Sequence, residues 1–279
     1  MLVLTWNCQG VGRTLTGQAL GDLVRKNRPS ILFLMESKNN KVKMETIRRS
    51  LGFVYSHYVD PEGLSGGLAL WWNTDVDMVV EMANKNLMHV MITEIPNRKI
   101  WAATFVYGCP VRTGRSLIWE EIRKIASSET LPWVCMGDFN QVLGDGEKMG
   151  GNCPRQSSIT EFHGMISDSG LIDLEFKGPR FTWRNNQRGE EFIMERIDMA
   201  FANYKWRELY DKAMVFVEPV VGSDHNPLPP CFCGYSLSVL LAFSQSLDHS
   251  LFHFISLHIQ SAEWRNKHTL WHLTAKQLG

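Results

Sequence analysis

Nothing in this 279-residue chain points to binding through bulk charge, because Lys+Arg and Asp+Glu number 29 each. A protein that holds nucleic acid by overall charge is normally basic, so any such contact must be local. The six cysteines (Cys8, Cys109, Cys135, Cys153, Cys231 and Cys233) include no C-x-x-C pair and a single C-x-C. That spacing suggests neither a zinc site nor a disulfide framework. Cysteines inside apolar runs read as small reduced hydrophobes. The chain has no N-x-S/T acceptor, and the apolar start at residues 2–6 is too short for a signal-peptide core. The apolar stretch 237–259 is interrupted by Gln245, Asp248, His249 and His253, which argues against a membrane span. These absences predict an intracellular protein of a reducing compartment, nuclear or cytoplasmic and not secreted.

What is present is core. Hydrophobic residues at 44% and aromatics at 11% suit one large domain, or one domain with an appendage. Apolar runs at 2–6 and 31–35 predict buried strands. Between them Leu15, Ala19, Leu20, Leu23 and Val24 recur at helical spacing, and Arg28-Pro29 ends that helix. Residues 68–72, 76–81, 88–94 and 101–107 predict further strands, with turns at Asn73-Thr74-Asp75 and Pro96-Asn97-Arg98. Leu117 or Ile118, with Ile122 and Ile125, marks a second helix. Residues 132–136 form another buried strand, and Ile159, Phe162 and Ile166 mark a third helix. Helices outside strand-rich layers imply an α/β sandwich with mixed sheets.

The composition changes after Leu228. Pro229-Pro230 breaks any strand, and five of the nine histidines fall in the last 31 residues. The expected division is a domain at 1–229 and a divergent tail at 230–279 without its own fold. Within the tail, 235–243 alternates with a period of two and is a candidate strand. The histidines there lack a carboxylate or cysteine cluster and read as incidental.

Polar groups recur where strands end, which is where catalytic residues of α/β enzymes gather. Asn7, Glu36 and Tyr107 follow or end apolar runs, as do Asp138 and Asn140 of Gly137-Asp138-Phe139-Asn140. Glu195-Arg196-Ile197-Asp198 and Ser223-Asp224-His225 come later. A hard divalent cation takes one or two carboxylates plus substrate phosphate oxygens, and Glu36 is the first candidate. A histidine beside carboxylates suits phosphate-ester hydrolysis, where charge builds on phosphoryl oxygens. Taken singly, each has a simpler reading as a turn residue, a solvated carboxylate, a core tyrosine or a helix cap.

Taken in order, Trp6-Asn7, Met35-Glu36, Val106-Tyr107-Gly108, Gly137-Asp138-Phe139-Asn140, Arg196-Ile197-Asp198 and Ser223-Asp224-His225 resemble the signature of the endonuclease/exonuclease/phosphatase family over about 1–228. The segments MLVLTWNCQGVG, ILFLMESK, WVCMGDFNQVLGDGEKMGG, RFTWRNN and ERIDMAFAN resemble the endonuclease domain of plant LINE-type retrotransposons. That resemblance implies a four-layer α/β sandwich of two mixed β-sheets flanked by helices. It also implies Mg²⁺-dependent (or Mn²⁺-dependent) hydrolysis of DNA that leaves a 3′-hydroxyl, which a reverse transcriptase supplied in trans could extend. Glu36 would bind the metal, with Asn7 organising metal or phosphate. Asp138 would orient or deprotonate the attacking water, while Asn140 and Tyr107 hold phosphate oxygens or support that water. Asp198 would fix His225, whose charge stabilises the phosphate, and Asp224 would be a second metal-side or orienting carboxylate.

Two positions depart from the pattern. Gln9 stands where the abasic-site repair branch has an acidic residue, which favours nicking over repair. After His225, Pro-Leu-Pro-Pro replaces the expected last core strand, and no Tyr-x-Asp-Asp follows. The expectation is a truncated or rearranged element copy. The alternatives are an inactive remnant, a nucleic-acid-binding module, or a phosphatase or abasic-site nuclease on the same fold.

Overall fold

Val3–Asn7 (β1) and Ile31–Met35 (β2) are parallel partners, with Val3 opposite Ile31 and Asn7 opposite Met35. The helix between them, Thr14–Asn27 (α1), ends where Arg28 turns left-handed at φ 46 and donates its N–H to the Val24 carbonyl. Lys41–Ser50 (α2) is capped by Asn40, whose side chain accepts from the Lys43 amide. Tyr55–Val59 (β3) and Leu68–Trp72 (β4) complete a first mixed sheet of order β1-β2-β4-β3. These coordinates are a computed structural model that describes residues 1–63, 65–219 and 222–229. They belong to one compact unit, Met1–Cys233. The tail 230–279, with its candidate strand at 235–243, lies outside the described residues.

The second sheet begins with Val76–Ala83 (β5), Leu87–Glu94 (β6), Ile100–Tyr107 (β7) and Trp133–Asp138 (β8). Arg115–Ser128 (α3) crosses from β7 to β8, which run parallel. Lys148–Met149 (β9) precedes Gln156–Asp168 (α4) and Leu171–Asp173 (β10). Short pieces follow at Phe176–Lys177 (β11), Trp183–Arg184 (β12) and Met194–Glu195 (β13). Asp198–Asn203 (β14), Tyr204–Leu209 (α5) and Val215–Phe216 (β15) come last. The order is β10-β14-β8-β7-β6-β5, mixed again, while β12, β13 and β9 form a small separate sheet.

The two large sheets face each other. Ile31, Phe33, Met35, Leu68 and Leu70 of the first meet Met88, Val90, Phe105, Val134 and Met136 of the second in one core. Phe33 and Phe105 stack across it at 5.0 Å. On the outer side of the first sheet, Leu20, Leu23 and Met44 from α1 and α2 cover Leu4, Trp6, Leu32 and Leu34. On the outer side of the second, Ile118, Trp119, Ile122, Phe162 and Met165 from α3 and α4 cover Cys135, Met199 and Phe201. This is a four-layer sandwich. Among the described residues no helix is long and apolar enough to cross a membrane.

Two helix faces differ from expectation. Leu15 is 63% exposed, because the buried face of α1 runs through Thr16, Leu20 and Leu23. Leu117 is likewise exposed, and Ile118, Trp119 and Ile122 carry the buried face of α3. Asn73-Thr74-Asp75 is a turn as expected, with the Val76 amide donating to the Asn73 carbonyl at 3.2 Å. It carries the chain from one sheet to the other, since β4 pairs with β2 and β3 whereas β5 pairs with β6.

Candidate active site

Five strand ends meet at one end of the sandwich. Asn7 closes β1, Glu36 follows β2, Tyr107 closes β7, Asp138 closes β8, and Asp198 opens β14 directly opposite Asp138. The parallel register of β7 and β8 sets Tyr107 beside Asp138. Two glycines permit this. Gly137 adopts φ +142, and a Cβ there would lie 2.1 Å from the Val106 carbonyl oxygen on β7. A Cβ on Gly108 would lie 2.2 Å from the Phe139 carbonyl oxygen. Phe139 itself is fully buried and packs against Trp119, Phe162 and Phe201. The turn bearing Asp138 and Asn140 is therefore anchored in the outer core beneath α3 and α4.

Asp138 is the hub. Its Oδ2 accepts from Asn7 Nδ2 at 3.0 Å and from Asn140 Nδ2 at 3.1 Å, and its Oδ1 accepts from the Asn140 amide at 2.8 Å. Asn140 adopts φ 52 and also donates to the Gly108 carbonyl at 2.9 Å. His225 Nε2 lies 3.9 Å from Asp138 Oδ2, and its Nδ1 lies 2.9 Å from Asp198 Oδ2. Asp138, Asp198 and His225 are all buried. On the other side of the hub, the Tyr107 hydroxyl donates to Glu36 Oε1 at 2.7 Å, and Lys38 Nζ lies 2.8 Å from Glu36 Oε2. Asp224 is partly exposed, and its Oδ2 accepts from Trp183 Nε1 at 3.1 Å.

Burial pushes the Asp138 carboxyl up to about 7; His225 opposes that shift and the neighbouring Asp198 charge adds to it. Burial works against the charge on His225, yet Asp198 and Asp138 outweigh it and raise the imidazole to about 9. Glu36 pays a burial penalty too, but Lys38 and the Tyr107 hydroxyl hold it below the usual carboxylate range. Burial and the Glu36 charge push the Tyr107 hydroxyl up, so it stays a donor. At neutral pH the cluster therefore combines an ionised Glu36, a protonated His225 and an Asp138 poised to exchange a proton.

Oxygen donors from Glu36, Asn7 and Asp224 suit a hard cation such as Mg²⁺ or Mn²⁺. Asp138, Asp198 and His225 also offer ligand atoms within 4.8 Å of one another.

Several supporting residues have no role in the sequence reading. Thr182 is buried, and its Oγ1 accepts from the Ile197 and Asp198 amides at 3.0 Å each, fixing the start of β14. Its carbonyl accepts from the Asn226 amide at 2.7 Å, tying the same threonine to the His225 segment. Trp6 Nε1 donates to the His225 carbonyl at 3.0 Å, and Ser223 Oγ donates to the Asn7 carbonyl at 2.8 Å. The RFTWRNN segment was the available signal for Thr182 and Trp183, although nothing in it separates a site support from a strand residue. Arg196 is buried over the Phe176 ring and binds Glu147 and both oxygens of Asp173, locking the loop before β14.

Among the described residues after His225 there is a single bridge in place of the family's last core strand, as Pro-Leu-Pro-Pro implies. Leu228 exchanges backbone bonds of 2.9 and 3.0 Å with Thr5 on the open edge of β1. Pro227 and Pro229 on either side have no N–H to extend the ladder.

The sequence profile of the endonuclease/exonuclease/phosphatase family matches residues 4–225. A search of curated protein sequences found no match. Among solved structures, a 3′-5′ exonuclease from Neisseria meningitidis aligns with TM-score 0.62 at 19% identity, covering 83% of this chain and 99% of that one. An AP endonuclease from Leishmania major aligns with TM-score 0.63 at 15% identity, covering 82% and 86%. The endonuclease domain of TRAS1, a telomere-specific non-LTR retrotransposon, aligns with TM-score 0.60 at 18% identity, covering 82% and 96%. At these identities the structural likenesses establish the fold, while the profile spans most of the chain and carries the assignment. This chain is a member of the endonuclease/exonuclease/phosphatase family.

Proposed function

We propose that the protein is a divalent-metal-dependent phosphodiesterase that nicks DNA and leaves a 3′-hydroxyl. The observation that carries this reading is the connected line Glu36–Tyr107, Asn7–Asp138–Asn140 and His225–Asp198 at the ends of facing strands. Asp138, steadied by Asn7 and Asn140, accepts a proton from the attacking water. The water oxygen bonds to phosphorus as the bond to the 3′-oxygen breaks, and the departing 3′-oxygen takes a proton from solvent to become the 3′-hydroxyl. His225, charged and oriented by Asp198, stabilises the negative charge on the phosphoryl oxygens. Tyr107, bonded to Glu36, and Asn140, bonded to Asp138, would hold phosphate oxygens or support that water once substrate enters. Glu36, with Asn7 and Asp224 as further oxygen donors, would hold Mg²⁺ or Mn²⁺, which would supply a Lewis acid to the phosphate.

The retrotransposon-like segments and the neutral Gln9 favour nicking over repair or phosphatase chemistry. DNA is the substrate, and a reverse transcriptase acting in trans would use the 3′-end. Supercoiled plasmid, abasic duplex and a small phosphate ester, each with and without Mg²⁺, form the test. Relaxation of plasmid only with metal is the expected result; preference for the abasic duplex or the ester would overturn it. The same assay on residues 1–229 tests the proposal that this segment is the complete catalytic domain.

Two expectations follow from the electrostatics. Nicking kcat/KM should rise with pH as Asp138 loses its proton near 7 and fall as His225 loses its own near 9. A profile flat across that range would remove both groups from the mechanism. The stability sign is separate. The folded pKa of His225 is raised, so its pairing stabilises fully below the ordinary 6.5 and is lost as pH climbs through about 9.

Asp198→Asn should keep the fold, because the Thr182 bonds to the Ile197 and Asp198 amides survive. The rate should drop about 10²–10³-fold, since His225 loses its charge partner. A circular dichroism melt run beside the nicking rate decides the matter. Lower stability with a normal rate would make Asp198 merely structural.

A further inference from the structure

Both oxygens of Glu36 are engaged. Tyr107 holds Oε1 at 2.7 Å, and the Lys38 ammonium lies 2.8 Å from Oε2. The same ammonium lies 2.5 Å from Gln9 Oε1, so it bridges the carboxylate and the amide. This placement is built by the backbone. Gln9, Glu36 and Lys38 all adopt left-handed conformations, with φ of 48, 50 and 51, which non-glycine residues seldom occupy. Two backbone bonds zip their loops together, Cys8 to the Met35 carbonyl at 3.0 Å and Gly10 to the Glu36 carbonyl at 2.8 Å. The Ser37 and Lys38 amides are held in turn by the Gly67 and Gly66 carbonyls at 3.0 and 3.1 Å. The lysine side chain is 27% exposed and that of Glu36 is 12% exposed, so the pair is largely shielded from water.

We infer that Lys38 is an internal cation that occupies the Glu36–Gln9 position until a divalent metal displaces it, and so sets the metal affinity of the site. The inference rests on Glu36 being the metal carboxylate. A Mg²⁺ ion needs a carboxylate lone pair at about 2.0–2.1 Å and readily takes neutral amide oxygens as further ligands. Glu36 Oε2 and Gln9 Oε1 are that kind of donor, and both now face the ammonium. Two cations at one carboxylate oxygen repel strongly in a half-buried setting, so metal entry requires the ammonium to swing outward. Because Gln9 is neutral, Lys38 cancels the only formal charge of the Glu36–Gln9 pair.

Mn²⁺ alone, titrated into the full chain without DNA and followed by the electron paramagnetic resonance of free Mn²⁺, reads the affinity independently of catalysis. Lys38→Met keeps the aliphatic stem and removes the charge. It should bind Mn²⁺ at least about tenfold more tightly than the parent, while Lys38→Arg stays within about threefold of it. Equal or weaker binding by Lys38→Met overturns the inference. Glu36→Gln separates the two levels of argument. If it binds Mn²⁺ as tightly as the parent, the metal reading of Glu36 fails. If it loses Mn²⁺ while Lys38→Met gains nothing, only the Lys38 inference fails. A second readout needs no variant: acylation of the Lys38 amine, measured by peptide mass, should rise when Mn²⁺ is added to the parent. Labelling that is unchanged or reduced by the metal overturns the displacement.

Discussion

His225→Ala is expected to cut metal-dependent nicking by about three orders of magnitude and to lower the melting temperature as well. The rate loss has two sources. The charged imidazole proposed to stabilise the phosphoryl oxygens disappears, and Asp138 loses the cation that restrains its rise in pKa, so less of the proposed base is ionised at neutral pH. The stability loss arises because Asp198 and Asp138, both buried, are left as neighbouring carboxylates without the positive group between them. Removing one partner of a buried ion pair costs about 3–5 kcal/mol. The two carboxylates can share a proton instead, so the deficit should shrink as pH falls towards 5. Plasmid relaxation rates and melts at pH 5 and pH 8 measure both effects. A variant that nicks at the parental rate would strike His225 from the site. Glu36→Gln makes a useful contrast, because it should abolish metal-dependent nicking with a smaller change in the melt: one of the two acceptors now used by Tyr107 and Lys38 remains an oxygen.

Gly137→Ala is the second large effect, and it acts through the backbone. The added methyl would sit 2.1 Å from the Val106 carbonyl oxygen and 3.1 Å from the Val106 amide nitrogen, neither of which can rotate away. The φ of +142 is also poorly suited to an L side chain. Backbone strain of about 1–3 kcal/mol and overpacking of similar size together predict a loss of roughly 3–5 kcal/mol. Relief requires β7 and β8 to separate at the register that sets Tyr107 beside Asp138. A misplacement of about 1 Å is worth roughly 10²-fold in rate, so the folded fraction should also nick poorly. Urea unfolding, with nicking assayed well below the melting temperature, tests both parts. An unchanged urea midpoint would show that the strands yield at no cost.

Much of the architecture was legible in runs of apolar residues. Residues 31–35, 68–72 and 132–136 are buried along their whole length, and a short continuous apolar run is what such a strand requires. β14 was not legible as a strand. Asp198-Met199-Ala200-Phe201-Ala202 puts alanines on the face turned to the inner core and opens on a site carboxylate, so it reads as a motif rather than a strand. β3 was missed for the opposite reason. Tyr55–Val59 is an edge strand with half-exposed polar residues and little periodic contrast. α2 is strongly polar, and much of its hold on the sheet comes through Arg48, which bonds to Glu45 and to the Phe53 and Val54 carbonyls.

The candidate site divides along the same line. The residues themselves, from Asn7 and Glu36 to Asp138, Asp198 and His225, were identifiable in sequence from their order and their strand-end contexts. Strand ends are local features, since an apolar run and the polar residue that stops it are neighbours in the chain. Which side chains touch was not local. Asn7 and Asp138 are separated by 131 positions and Trp6 and His225 by 219, and only the facing of two sheets brings them within hydrogen-bond reach. The raised pKa values of Asp138 and His225, and the Lys38 ammonium seated between Glu36 and Gln9, belong to that second class. Burial and neighbouring charge set those states, and neither exists until the sandwich has closed.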